Sequence, residues 1–415
     1  MSLSVGIEAM ALAVPQRYIE LEDLARARGI EPAKYTLGLG ALQMAVPEPG
    51  EDTVALAATA AAKLLQENQL DPSRIGMLIV GTETGVDHSK AVASFVQGLL
   101  GLPRNIRTYD TQHACYGGTA ALMASASWIA SGAAKGKAAL VICSDIARYG
   151  LHSAGEPTQG GGAVAMLVSE NPALLKLDFG ISGLGSDDVH DFWRPLDRRE
   201  ALVDGHYSIK CYLDALSMAY RGWRELALEK ELVLSGEVLP SEQLARVLYH
   251  VPFCKMAKKA HDQVRRCDLE DARGPLSTEA EKLEAPRSAE SLKTQVSSSL
   301  GLCARVGNIY TGSLYLGLLG LLHAEAASVV GKRIGLFSYG SGCCGEFFSG
   351  VIGAEAPAKI AAARIEQTLQ ARLKISVEEY EEIMQLSSSS PLPKSGAGYR
   401  FVGLTENRRT YERLG

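Results

Sequence analysis

Short, nearly unbroken apolar runs alternate with alanine-rich stretches of helical spacing along most of this chain. Residues 75–81 (IGMLIVG), 138–144 (AALVICS) and 333–339 (RIGLFSY) are uniformly apolar rather than alternating. Such runs predict strands covered on both faces by helices, as in α/β folds. Residues 114–130 (ACYGGTAALMASASWIA) predict a glycine turn opening a helix, after a short strand at 106–109. The opening MSLSVGIEAMALAVP has no basic leader and carries Glu8 within its apolar stretch, so it predicts a first strand rather than a targeting peptide.

The second half of the chain repeats this order. Residues 246–250 (RVLYH) take the place of 75–81. Residues 307–323 (GNIYTGSLYLGLLGLLH) are again a small-residue turn opening an apolar helix, and 333–339 is the next strand. Cys115 to Asp145 and Asn308 to Ser338 are both spaced by 30 residues. Between His250 and Asn308 the second half carries a surplus, placed at about 267–297, a charged stretch with two prolines that predicts a surface insertion. The expected organisation is an N-terminal half (1–172) and a C-terminal half (173–415) with that insertion. An active site is then expected where the halves meet. Residues 358–385, preceded by Pro357, predict a surface helix. Residues 387–390 with Pro391 and Pro393 predict a loop, and 399–415 a terminal strand.

Composition narrows the function class. Hydrophobic residues make up 47% of 415 positions, enough for a large core. The net charge of −5 argues against nucleic acid as the main partner. Apolar runs such as 312–322 are too short to span a bilayer. The eight cysteines lack CxxC spacing, which fits free thiols in a reducing, cytoplasmic compartment.

Three residues are candidates for catalysis. Cys115, in QHACYGG, lies between a strand and a helix, where free N–H groups and the helix dipole favour a thiolate. The glycines beside it would let backbone amides approach a thioester oxygen. The competing reading is a small buried hydrophobe. Glu83, in GTETG, ends a buried strand, so partial desolvation should raise its pKa into the range of a general acid/base. The competing reading is an exposed loop carboxylate. His250 ends RVLYH at the position corresponding to Glu83, and Pro252 beyond it blocks helix continuation and keeps the preceding Val251 extended. The imidazole could then donate to a carbonyl or exchange a proton, against the competing reading of a satisfied core or loop histidine. Lys255, Lys258 and Lys259 can share a helix face suited to phosphates, or simply face solvent. The remaining histidines form no metal-ligand cluster. The GSGCCG at 340–345 matches a dinucleotide fingerprint only formally, because a strand follows rather than a helix.

Taken together, these segments resemble the 3-hydroxy-3-methylglutaryl-CoA synthases of the thiolase superfamily. The likeness rests on Glu83, on Cys115 in ACYGGT, on His250 in HVPFCKM and on GNIYTGSLYLGL. SDIARYGLHSAGEPTQGGGAVAML, DFWRP and VDGHYSIKCYLDAL support it. The resemblance implies a duplicated thiolase-like α/β fold in five αβαβα layers, a homodimer, and no cofactor beyond coenzyme A thioesters as substrates. By position it makes Cys115 the acyl acceptor, Glu83 the general acid/base and His250 the residue orienting the second substrate. Asn308 and Ser341 would contact the acetoacetyl thioester. Tyr149, Thr158, Tyr207 and Gly340 would surround the pocket, and the three lysines would meet the CoA phosphates.

The implied reaction joins acetyl-CoA to acetoacetyl-CoA through acetyl-Cys115, the step that supplies mevalonate and isoprenoid precursors. The alternative is the related β-branching reaction on groups tethered to an acyl carrier protein. Two more distant readings are a CoA-primed ketoacyl synthase, which would not need Glu83, and a non-catalytic partner subunit, which would be expected to lack the nucleophile.

Overall fold

The computed structural model describes residues 4–198, 200–386 and 398–414. Its principal strands are β1 (Gly6–Ala13), β2 (Ile75–Gly81), β3 (Arg107–Thr111), β4 (Ala138–Ala147), β5 (Gly160–Ser169), β6 (Leu175–Ser186), β7 (Arg246–Tyr249), β8 (Arg333–Gly340) and β9 (Cys344–Ile352). They form one sheet in the order β7-β8-β9-β6-β1-β5-β4-β2-β3.

That sheet contains the same wiring twice. In the first copy β2 is parallel to β4, β4 antiparallel to β5, and β5 antiparallel to β1. In the second, β7 is parallel to β8, β8 antiparallel to β9, and β9 antiparallel to β6. The copies are joined where Gly6 and Ile7 of β1 pair with Lys176 and Leu175 of β6. Among the described residues β7 is an edge strand, with no counterpart of β3 beside it.

The uniformly apolar strands are explained by what covers them. Met77, Ile79, Val141, Cys143, Val164 and Met166 point to one core, shared with helices α3 (Gly117–Ala130) and α7 (Ser313–Val329). Their neighbours Leu78, Val80, Leu140, Ile142, Ala165 and Leu167 point to a second core under helices α1 (Thr53–Glu67) and α2 (Val92–Leu100). The β-strand period of two thus divides one apolar run between two helix layers. Helices α4 (Gly205–Glu229) and α5 (Met256–Arg273) cover the far face of the second copy. The two halves of the sheet, joined only at Gly6 and Ile7, act as separate layers, so the order runs helix, half-sheet, helix, half-sheet, helix, the thiolase-like arrangement. Helix α7 is apolar enough in composition to cross a membrane, yet most of it is buried inside this protein.

Two expectations change and a third gains detail. The stretch at 267–297, expected as a surface insertion, comprises the end of α5 and helix α6 (Thr278–Gln295), capped by Ser277 and with Pro286 inside. Its charges pair across the two helices, as in Arg266–Glu281 and Arg273–Glu284, while Cys267 and Val296 are buried in the core. The single helix expected over 358–385 is three, Ala356–Ala362, Ile365–Gln370 and Val377–Gln385. Arg364 interrupts it with a left-handed backbone (φ 45°), and Leu373–Lys374 pairs with Arg17–Tyr18. The expected terminal strand is a hairpin, Gly398–Thr405 with Arg408–Leu414. Residues 387–390, Pro391 and Pro393 lie outside the described residues.

Candidate active site

Cys115 and Glu83 meet at the ends of β3 and β2. The thiol of Cys115 donates to Oε1 of Glu83 at 3.2 Å. Ala114, just before the cysteine, is in the left-handed region at φ 40°, which few alanines adopt and which turns the chain sharply into α3. Glu83 is 7% exposed, and its pKa rises to about 8. Burial is the main cause and the Asp145 carboxylate the second, opposed by the thiol and by Arg194. This agrees with the desolvation expected at a strand end.

Two expectations about the cysteine are corrected. Its thiol is pushed well above the ordinary range, by burial first and then by Glu83, Asp145 and Asp191. The helix begins two residues later, at Gly117, so the dipole does not outweigh three carboxylates in a desolvated corner. The amides after the cysteine are also engaged: Tyr116 N–H donates to His113 O at 3.0 Å and Gly117 N–H to Ala114 O at 3.3 Å. The glycines serve close packing instead. A Cβ on Gly118 would lie 2.5 Å from Cys143 Sγ and 2.6 Å from Thr311 O, so only glycine lets the start of α3 rest on the second half.

Asp145 organises this corner and was not singled out from sequence. It lies in the apolar run of β4 and is fully buried. Its Oδ1 accepts from Thr82 Oγ1 (2.8 Å), Glu83 N (2.9 Å), Thr84 N (3.0 Å) and Thr84 Oγ1 (2.6 Å). Its Oδ2 accepts from Thr311 N (3.1 Å) and Thr311 Oγ1 (2.5 Å). A charged group inside a strand that is otherwise apolar was the available signal.

His250 follows β7. Its N–H donates to Phe337 O of β8 at 2.8 Å, and its carbonyl accepts from Tyr212 Oη at 2.8 Å. The ring is 2% exposed, and burial lowers its pKa to about 3, so the imidazole is neutral. Three residues along β8, Gly340 packs on the nucleophile turn: a Cβ there would lie 2.3 Å from His113 O and 2.7 Å from Tyr116 N. The second half therefore brings its strand end directly against the corner that holds Cys115. Ser341 lies in the turn that follows, next to Gly342, whose N–H donates to Asp191 at 3.0 Å.

The hydroxyls of Tyr149 and Tyr310 share a hydrogen bond, and both phenols lie near Cys115 and Glu83. Tyr310, with φ 45°, is a second residue that sequence reasoning passed over although its segment was recognised. Asn308 Oδ1 accepts from Tyr310 N (2.9 Å) and Ser313 Oγ (2.8 Å), which leaves its amide NH2 as the remaining donor. Asn308 N–H meets Thr158 O at 3.4 Å, so Thr158 and Asn308 are neighbours.

The other candidates are exposed. Tyr207 is 40% exposed at the start of α4, in a groove with Cys211 and Cys343. Lys255 caps α5, and Lys258 Nζ pairs with Asp262 at 2.6 Å on the same exposed face. No group of His, Cys, Asp and Glu among the described residues has metal-binding geometry.

Comparison with known proteins agrees with this architecture. Residues 2–173 match the family hydroxymethylglutaryl-coenzyme A synthase N terminal, and residues 175–395 match its C-terminal counterpart. The hydroxymethylglutaryl-CoA synthase of Enterococcus faecalis is 38% identical over 379 residues, 91% of each chain. The mitochondrial enzyme of Homo sapiens is 36% identical over 414 residues, 92% of this chain and 81% of that one. Among solved structures, MvaS in complex with 3-hydroxy-3-methylglutaryl coenzyme A is 62% identical, with a TM-score of 0.98 over 100% of both chains. The curacin pathway HMG synthase in complex with acetyl donor-ACP is 31% identical, with a TM-score of 0.87 over 99% of this chain and 100% of that one. With its doubled sheet, its Cys115–Glu83 pair and both family segments in place, this chain belongs to the hydroxymethylglutaryl-CoA synthase family.

Proposed function

We propose that Cys115, Glu83 and His250 carry the family's reaction here: acetyl-CoA, acetoacetyl-CoA and water give 3-hydroxy-3-methylglutaryl-CoA and CoA. The observation that carries this reading is the 3.2 Å contact between the Cys115 thiol and Glu83. A thiol with a raised pKa is a poor nucleophile alone, so attack needs the proton to leave as the bond forms. Glu83, with a pKa near 8, is matched to take it. Sulfur adds to the acetyl carbonyl, CoA departs with a proton, and acetyl-Cys115 remains.

Acetoacetyl-CoA then enters. Glu83, ionised again, removes a methyl proton from the acetyl group, and the resulting enolate adds to the C3 ketone. The enolate oxygen is placed against the Cys115 N–H, since the next two amides are engaged elsewhere. Neutral His250 donates a hydrogen bond to the ketone oxygen, which becomes the tertiary hydroxyl. Asn308 and Ser341 hold the thioester end, and Tyr149 and Thr158 bound the acyl pocket. Water then cleaves the acyl–Cys115 bond.

Coenzyme A is the proposed handle, with Lys255, Lys258 and Lys259 toward its phosphates and Tyr207 at the entrance. The 62% identity to the solved MvaS chain, against 31% to the curacin synthase, favours this over a carrier protein. The same reading takes the enzyme as a cytoplasmic homodimer and divides the halves at 172/173, between β5 and β6. Intact mass after incubation with acetyl-CoA, followed by turnover with acetoacetyl-CoA or acetoacetyl carrier protein, tests it. An adduct on Cys115 and preference for the CoA ester are expected. No adduct, or turnover only with the carrier protein, overturns it.

A further inference from the structure

A line of buried polar groups runs from the C-terminal helix Val377–Gln385 to Tyr149. Arg28 donates to both oxygens of Glu156, from Nε at 2.9 Å and Nη2 at 2.7 Å, and its Nη1 pairs with Glu381 at 2.6 Å. Tyr380 Oη donates to Glu156 Oε1 at 3.2 Å. Gln159 Nε2 donates to Tyr380 Oη at 2.7 Å. Gln159 Oε1 accepts from Tyr149 N–H at 2.7 Å. Glu156 and Tyr380 are each 1% exposed and Gln159 3%, so water does not substitute for these bonds.

The direction of every bond is fixed by the first. Glu156, ionised beside Arg28, can only accept, so the Tyr380 hydroxyl must donate to it. That leaves the Tyr380 lone pairs to accept from an N–H, which turns the nitrogen end of the Gln159 amide toward them. The amide oxygen is then left for Tyr149. Without Tyr380 to select the orientation, the amide can flip and set N–H against N–H.

We propose that Gln159, oriented by Tyr380 and the Arg28–Glu156 pair, is a positioning residue for Tyr149 in the acyl pocket, and that the C-terminal helix sets pocket geometry through it. The helix has the means to do so. A capping box of Ser376 and Glu379 fixes its start, and Val377, Tyr380 and Ile383 anchor it in a small core of its own with Leu21, Leu24 and Met44. The inference rests on the placement of Tyr149 at the Cys115–Glu83 corner, and the test separates the two.

Tyr380→Phe, Tyr149→Phe and the double variant would be compared in full-length enzyme for kcat, for KM of acetoacetyl-CoA and for Tm. Tyr380→Phe is expected to lower kcat about fivefold, on the scale of one hydrogen bond lost, with KM within about twofold. In the Tyr149→Phe background the same change should have little further effect on kcat, because Tyr380 acts, through the Tyr149 main-chain N–H, by placing that phenol. Glu156→Gln should reproduce a smaller loss, since its amide can still accept from Tyr380. A normal kcat in Tyr380→Phe with an impaired Tyr149→Phe overturns the positioning role and leaves the pocket reading intact. A normal kcat in Tyr149→Phe overturns both. Equal losses from Tyr380→Phe in either background would mark a general packing effect and also sink the proposal.

Discussion

Asp145 and Thr311 join the two halves of the chain: the Thr311 amide and hydroxyl both donate to Oδ2 of Asp145, while Oδ1 holds the loop that carries Glu83. One carboxylate therefore fixes the Glu83 loop relative to both halves of the sheet. Asp145→Asn would place an amide NH2 where only acceptors fit, leaving buried donors opposed. The expected cost is about 3 kcal/mol of stability, with kcat reduced on the order of a hundredfold. Calorimetry and steady-state turnover would measure these; an unchanged kcat would show that the loop holds itself.

Glu83 gives a pH signature of defined sign. Its folded pKa, near 8, lies above the unfolded value of about 4.3. Its protonated form is favoured in the fold, so that stability is full at low pH and is lost as pH rises through about 8. Glu83→Gln should thus raise Tm by roughly 2 °C at about pH 8.5 and leave it unchanged near pH 4. The same substitution should abolish turnover. In the parent enzyme, kcat/KM should climb toward a plateau above about pH 8 as the base ionises.

The raised thiol pKa of Cys115 is directly measurable. Alkylation by iodoacetamide should be slow at neutral pH and still rising above about pH 9, the opposite of a helix-activated thiolate. A plateau below about pH 7 would contradict the carboxylate-rich environment described for this corner.

His250 stays neutral down to about pH 3, so no limb of the rate profile between about pH 5 and 8 should belong to it. His250→Ala should still acetylate Cys115 but stall at addition to the ketone. Acetyl-enzyme would then accumulate in a rapid-quench experiment, with turnover down on the order of a hundredfold. Loss of acetylation itself would reassign the residue to the first half-reaction.

Lys258 and Lys259 lie on an exposed face, and the Lys258–Asp262 pair contributes little to stability. Replacing both with Ala should leave Tm within about 1 °C but raise KM for acetoacetyl-CoA several-fold at low salt, with the difference shrinking as ionic strength rises. An unchanged KM would remove the phosphate role from this face.

The parts of this structure legible in the sequence are those whose signal is local. Residues 75–81 emerge with the bounds their apolar run implied, and 138–144 and 333–339 need only a few more residues, because continuous apolar strands flanked by breakers leave little choice. Glu83 could be selected because a carboxylate at a strand end is conspicuous. Asp145 was not, since its meaning lies in donors drawn from Thr82–Thr84 and from Thr311, 166 residues away. The raised thiol pKa of Cys115 is likewise a product of burial and of three carboxylates converging in space. At 267–297 the charge and the two prolines pointed to a surface insertion but not to its secondary structure, which interhelix ion pairs and a tolerated Pro286 make two helices.

Helix α7, sealed between the sheets, imposes an order of synthesis on the molecule. Helix α3 covers the inner face of its own half, but its outer side meets Tyr315 of α7, so that side stays open until residues 313–329 have left the ribosome, some three-quarters of the way through translation. Truncation after β5 would leave the outer side of α3 without its partner helix. Slowing translation before α7 should therefore lower the soluble yield of the full-length chain.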